Sequence, residues 1–292
     1  MPSGDADVKL THPDKVLFPD DGITKAGLAD YYGAVAEAML PHTRERPMNL
    51  WRWNNGIGGQ RVVQQEIPKG APEWVPRVEV PRRRGGEVVH AIIDDAATLR
   101  WLANQNCITP HVWQSRVDRL DRPDRIVFDL DPFEDGQFDE IRAGALALGE
   151  HLRGLGLHPF AMTTGSRGIH VVAPLRRTKD ADAVRAAAGA IAEDFAAGHD
   201  TLTTAWRKEK RDGRILVDTA RNTYAQTVVA PYAVRALPGA PVATPLAWEE
   251  LEDRELHPRR WTLRDVPARL AERGDPWSDI RRFAGNLTVA DR

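Results

Sequence analysis

"RIVFDLDPFE" (residues 125–134) is an apolar run that ends in two aspartates one residue apart. Ile126, Val127, Phe128 and Leu130 are strand formers and Pro132 cannot donate to a ladder, so the run predicts a buried strand ending at Asp131. Alternate residues of a strand share a face, about 7 Å apart at Cα, so Asp129 and Asp131 project together from its C-terminal end. Two neighbouring carboxylates repel, and one takes up a proton unless cations share the site; a pair of divalent ions roughly 4 Å apart fits such a span. The structural alternative for a bare Asp-x-Asp is that one aspartate caps the following helix while the other is solvated.

Composition narrows the classes around this strand. The chain has 292 residues, 42% hydrophobic and 28% charged, which is ordinary globular composition with room for one large or two modest domains. A single cysteine, Cys107, excludes an intramolecular disulfide framework and fits a reducing compartment. With no signal-like N-terminus or long apolar run, the expectation is a soluble, cytoplasmic protein without a membrane partner. A net charge of −2 argues against a non-specific polycation, although a nucleic-acid enzyme needs only a local positive path. "PRRRGG" (81–86) and "WRKEKRDGR" (206–214) are candidates for one, or else solvated loops.

Thr24 is a candidate N-cap for a helix reaching about Met39, with Leu28, Tyr31, Tyr32, Val35 and Met39 as its apolar stripe. A strand-and-loop region covers 48–74, a strand is predicted at 88–95 and a helix at 96–106. The Asp-x-Asp strand leads to a helix over about 137–154, then two strands within 158–175, an alanine-rich helix over 180–197, and strands within 214–222 and 226–235. Short helices are predicted near 246–252 and 263–273. No repeat or linker divides the chain, so two lobes sharing one core are expected.

Two further polar clusters accompany predicted strands. In "TTGSRGIH" (163–170), Gly165 and Gly168 flank Ser166 and Arg167 and place His170 on the departing strand; such a turn can aim N–H groups, a hydroxyl and a guanidinium at an anion such as a triphosphate. The structural alternative is an ordinary hairpin with a hydrogen-bonded histidine. In "ILVDTARN" (215–222), Asp218 offers a third carboxylate, followed by Arg221 and Asn222; the alternative is a strand-end cap.

"VFDLDP", "TTGSRGIHVVAPL" and "ILVDTARN…VVAPYAVR", in that order and spacing, closely resemble the primase-polymerase domain of bacterial ATP-dependent DNA ligase D, of the archaeo-eukaryotic primase superfamily. The resemblance extends from "LTHPDKVLFPDDGITKAGLADYY" to "WEELEDRELHPRRWTLRDV", nearly the whole chain. It implies a mixed α/β (α+β) primase-like catalytic core with an RRM-like sheet and a packed N-terminal lobe, drawn here as 1–90 and 91–292, with the active site between them. It also implies that Asp129, Asp131 and Asp218 hold two Mn²⁺ or Mg²⁺ ions for nucleotidyl transfer onto a primer 3′-hydroxyl. By the same resemblance Ser166, Arg167 and His170 hold the triphosphate, with Arg221 and Arg235 as further cationic contacts. His111 lies near the nucleotide sugar, ribonucleotides being favoured, and Lys15 and Lys25 grip a 5′-phosphate at a DNA gap or break. The implied partners are nucleoside triphosphates and primed, gapped or broken DNA in end-joining repair, with a Ku-type end-binding protein and a separate DNA ligase beside them on a bacterial nucleoid.

Departures from that pattern are specific. Val62 and Val63 stand where such domains commonly carry two adjacent aromatics that pack on the template, so template engagement must differ. Trp51 and Trp53 are one candidate substitute, with strand packing as their alternative. His12 replaces an asparagine and Gln226 a lysine carried by some relatives. The length leaves no room for the ligase or phosphoesterase modules of full ligase D proteins, so a stand-alone polymerase is expected. "KRDG" (210–213) matches the adenylated-lysine core of ligases but is read as a Gly-assisted turn. Rival readings are a phosphotransferase using Asp129 as nucleophile, and an inactive relative that only binds nucleotide or DNA ends.

Overall fold

The computed structural model describes residues 8–287. Its first stretch runs β1 (Val16–Phe18), β2 (Ile23–Thr24), α1 (Lys25–Ala34), α2 (Ala36–Thr43), β3 (Met48–Trp53), β4 (Arg61–Gln64), β5 (Arg77–Pro81), β6 (Glu87–Ala91), α3 (Ala96–Asn104) and β7 (Cys107–Trp113). Then come β8 (Arg125–Asp131), α4 (Phe138–Gly154), β9 (Phe160–Thr163), β10 (Ile169–Pro174), α5 (Ala181–Ala197), β11 (Leu202–Thr203) and β12 (Ile215–Asp218). The last elements are β13 (Thr227–Val229), β14 (Thr244–Leu246) and α6 (Val266–Arg273), with a 3₁₀ turn at Trp248–Glu252. The mixed α/β class read from the sequence is the class observed.

Two compact units interleave along the chain. One takes residues up to 118 with 227–243 and 261–275; the other takes 119–226, 244–260 and the stretch from 276 on. The lobes drawn from the sequence meet near residue 90, whereas these units cross that boundary. The reason is pairing: β13 leaves its chain neighbours to pair with β7, and β14 returns to pair with β9.

The first unit carries a four-stranded sheet in the order β13-β7-β3-β4 and the β5-β6 hairpin. Thr24 caps α1 as expected, its hydroxyl accepting from Gly27 N at 3.2 Å. The helix does not continue to Met39: it breaks at Val35 and restarts as α2. The apolar stripe is buried all the same, including Leu28, Tyr32, Val35 and Met39.

The second unit is built on a six-stranded sheet in the order β11-β12-β8-β10-β9-β14. Ile126, Phe128 and Leu130 of β8, Ile169, Val171 and Ala173 of β10, and Ile215 and Val217 of β12 form one core with α4 and α5, through residues such as Ile141, Leu148, Val184 and Phe195. Each fully buried side chain of this size contributes about 1.5–3 kcal/mol. Because side chains alternate along a strand, every residue between these core positions faces away from the helices.

Candidate active site

The polar side chains of these strands lie on that other face, beside Val127, Val172 and Leu216. Asp129 is the register partner of His170 on β10 and of Asp218 on β12, with β8 in the middle, and Asp131 lies one step along β8 opposite Leu216. Three adjacent strands therefore present Asp129, Asp131, Asp218 and His170 on the face opposite the helices. A one-residue slip of β8 would send the carboxylates into the core, so the hydrophobic pattern that stabilises the sheet also fixes the site.

The face is electrostatically loaded. Burial, followed by repulsion from Asp129, pushes the Asp131 carboxyl up to about 6; His170 and Arg167 oppose that rise and Asp218 adds to it. Asp218 is likewise raised by burial and by Asp129, even though it accepts a 2.7 Å hydrogen bond from Ala220 N. His170 Nε2 lies 3.3 Å from Asp129 Oδ2, while its Nδ1 is buried without a hydrogen-bond partner. Among the described residues no three His, Cys, Asp or Glu side chains converge into a ready-made metal cage. The donor set still suits a hard divalent cation, because carboxylates raised by one another are stabilised by any positive charge placed among them.

Between β9 and β10 runs the Gly-bounded turn. Gly165 takes a φ of +64°, and a Cβ on Gly168 would fall 2.1 Å from the Leu130 carbonyl oxygen, so the turn lies directly against the end of β8. Thr164 Oγ1 lies 3.2–3.3 Å from the N–H groups of Gly168 and Ser166, and Arg259 Nε donates to the Ser166 carbonyl at 2.9 Å. Ser166 and Arg167 border a cleft of about 280 Å³ that Gln137, Phe138, His257 and Arg259 help to line. Arg259 and Gln137 were not singled out from the sequence; "HPRR" gave no periodic signal.

Asn222 also escaped assignment. Its Oδ1 accepts from Val127 N at 2.8 Å and its Nδ2 donates to Val127 O at 2.7 Å, continuing the β12 edge beyond Asp218 with a side chain. Arg221 is exposed, lowers the rise in Asp218, and donates to Gln226 Oε1 at 3.3 Å.

The remaining sequence-selected residues belong to the other unit. His111, on β7, is buried, and its Nδ1 donates to Thr109 O at 3.1 Å. Trp51 stacks on His111 with ring centroids 3.6 Å apart, and the Arg61 guanidinium lies 4.3 Å from the indole centroid. Trp53 is only 9% exposed, and Trp51 is half-buried against His111 and Arg61. Arg235 is half-buried, and its N–H bonds Pro241 O at 2.7 Å. Lys15 and Lys25 are neighbours, joined by a 2.8 Å bond from Lys25 N to Lys15 O. Taken without the family, both would read as exposed loop charges, yet Lys25 is 3% exposed and donates to Thr11 O and Asn104 O at 2.7 and 3.1 Å. Burial, and then Lys15, lowers its ammonium pKa. Lys15 donates to Asn54 O.

Comparison with known proteins identifies the family. The family model "LigD, primase-polymerase domain" matches residues 24–277. The multifunctional non-homologous end joining protein LigD of Mycobacterium bovis is 34% identical over 98% of this chain and 38% of its own length. That of Pseudomonas aeruginosa is 32% identical over 98% of this chain and 34% of its own length, so the chain spans less than two fifths of either relative. The solved polymerase domain of Mycobacterium tuberculosis ligase D in complex with DNA superposes with a TM-score of 0.87 at 32% identity, covering 95% of this chain and 99% of that one. The chain belongs to the LigD primase-polymerase family and has its fold.

Proposed function

We propose that this chain is a nucleotidyltransferase that adds nucleotides, ribonucleotides by preference, to primed, gapped or broken DNA ends during end joining. The observation that carries the reading is the shared polar face of β12, β8 and β10, where Asp129, Asp131, Asp218 and His170 are placed by strand register. Asp129, Asp131 and Asp218 are the residues to hold Mn²⁺ or Mg²⁺, both of which accept oxygen ligands. Bound divalent ions supply charge neutralisation and Lewis-acid activation for phosphoryl transfer.

The protein's own groups divide the remaining work. His170, 3.3 Å from Asp129, orients that carboxylate. The turn at Thr164–Gly168, braced by Thr164 and Arg259, holds Ser166 and Arg167 beside the end of β8, where a phosphate chain can accept their hydrogen bonds. Arg221 adds positive charge near Asp218. The assignments of His111 to the nucleotide sugar, Arg235 to the phosphates, and Lys15 with Lys25 to a DNA 5′-phosphate rest on the family resemblance. The last also fits a Lys25 ammonium whose proton affinity is lowered by burial and by the neighbouring Lys15.

The test is extension of 5′-phosphorylated gapped DNA with Mn²⁺ and either ribo- or deoxyribonucleotides, comparing wild type with Asp129→Ala plus Asp131→Ala. Templated addition should fall by about 10³-fold or more, since the lost interactions are worth several kcal/mol at roughly 1.4 kcal/mol per factor of ten. Equal addition by the double variant would remove the carboxylates from the chemistry. A phosphoenzyme on Asp129 would favour the phosphotransferase instead.

A further inference from the structure

Trp206 is 62% exposed, more than Val62 at 41% or Val63 at 46%, the two residues that replace the family's aromatic pair. A single exposed apolar side chain is ordinary in a soluble protein. This one differs in its setting. The loop from Thr204 to Arg214 carries five cations, Arg207, Lys208, Lys210, Arg211 and Arg214, against two carboxylates, Glu209 and Asp212.

The loop is braced rather than loose. Arg211 donates from Nε to Ala205 O at 3.2 Å and from Nη2 to Trp206 O at 3.0 Å, and Arg214 Nε donates to Arg211 O at 3.0 Å. Two ties fasten it to the segment just beyond the acidic strand: Lys208 Nζ lies 4.8 Å from the Phe133 ring centroid, and Gln137 Nε2 donates to Gly213 O at 2.9 Å. Gln137 in turn accepts from Phe133 N at 2.8 Å, only two residues beyond Asp131. Arg207 and Lys210 remain exposed. "KRDG" lies here as a turn, with positive φ at Asp212 and Gly213.

We infer that Trp206 is a base-stacking platform for single-stranded nucleic acid, with Arg207 and Lys210 following its phosphates. An indole exposes a π-face that stacks on any base, exposed cations attract the backbone, and a braced loop loses little conformational freedom on binding. The ties from Lys208 to Phe133 and from Gly213 to Gln137 hold the loop that carries Trp206 against the segment that follows β8, the strand of the paired carboxylates. The inference takes its biological meaning from the polymerase reading but is measured independently of it.

The experiment is fluorescence anisotropy of labelled oligothymidine and of a blunt duplex with wild type, Trp206→Ala, Trp206→Phe and Arg207→Gln plus Lys210→Gln, in EDTA and without nucleotide. Trp206→Ala should weaken single-strand binding roughly 5- to 150-fold, the range for one lost base stack, with Trp206→Phe losing less and duplex affinity staying within about twofold. The double Gln variant should reduce the salt dependence by about 0.7 per cation. In wild type, oligothymidine should quench the share of tryptophan emission that Trp206→Phe lacks. Unchanged single-strand affinity in Trp206→Ala, or an equal loss on duplex, overturns the platform while leaving nucleotide addition by wild type untouched. Binding through Trp206 in a protein that never adds nucleotides would instead sink the polymerase reading and keep the platform.

Discussion

Two buried polar clusters, one in each unit, behave in opposite ways. In the first unit Asp275 accepts from His42 Nε2 at 2.8 Å and from the Tyr232 hydroxyl at 2.6 Å, while Tyr31 donates to the Tyr232 carbonyl at 2.8 Å. Burial and Asp275 hold the Tyr232 hydroxyl firmly protonated, so donors and acceptor complement one another. In the second unit three carboxylates gather on one sheet face, and Asp131 is raised by burial and by its own neighbour. A cluster that satisfies itself holds the fold together. One whose charges oppose each other costs stability and is relieved only by something brought from outside.

The sharpest way to break the contrast is Asp275→Ala. It removes the acceptor of a buried pair and should lower unfolding free energy by about 3 kcal/mol in urea titration, whereas Asp131→Asn should leave the midpoint unchanged or raise it. Comparable losses in both variants would erase the distinction.

A smaller effect is expected from cations. Mn²⁺ at about 100 times its dissociation constant stabilises a single site by about 2.7 kcal/mol, so wild type should melt roughly 5 °C higher, and Asp129→Asn plus Asp131→Asn should not respond. The pH dependence has a definite sign. Asp131 binds its proton more tightly when folded, so in metal-free protein its contribution is full below the ordinary carboxylate range and is lost as pH rises through about 6. Cations compete with that proton, and the melting shift should shrink between pH 7.5 and 5. A shift that grows on acidification would place the ion elsewhere.

Smallest is Trp51→Ala. Loss of the stack on His111 should cost about 1 kcal/mol of stability, and single-strand affinity should match wild type, because the indole face is already occupied. Weakened single-strand binding would show that the ring leaves His111 to meet a base.

Much of the second unit was legible in the sequence because alternation carries it: Ile126, Phe128 and Leu130 point one way, and Asp129 and Asp131 the other. The Thr24 cap and the Gly165 turn were legible for the same local reason. What stayed hidden depends on chain segments far apart meeting. Nothing near Lys25 announces its burial against Asn104 O, nothing near Ser166 announces Arg259, and no period in "QTVVAPYAVR" says that β13 departs to pair with β7. The break of the first helix at Val35 was missed because its apolar stripe runs through both halves.

The side chain of Asn222, standing in for backbone beside Val127, has a kinetic consequence. Asp218 is seated only after β12 has paired with a strand that left the ribosome long before it, and Asn222 closes that pairing at its open end. Such non-local pairing is slow to form. A nascent chain that has already made β8 and β10 would hold two carboxylates and lack the third, so the three-carboxylate face is complete only once synthesis has passed Asn222.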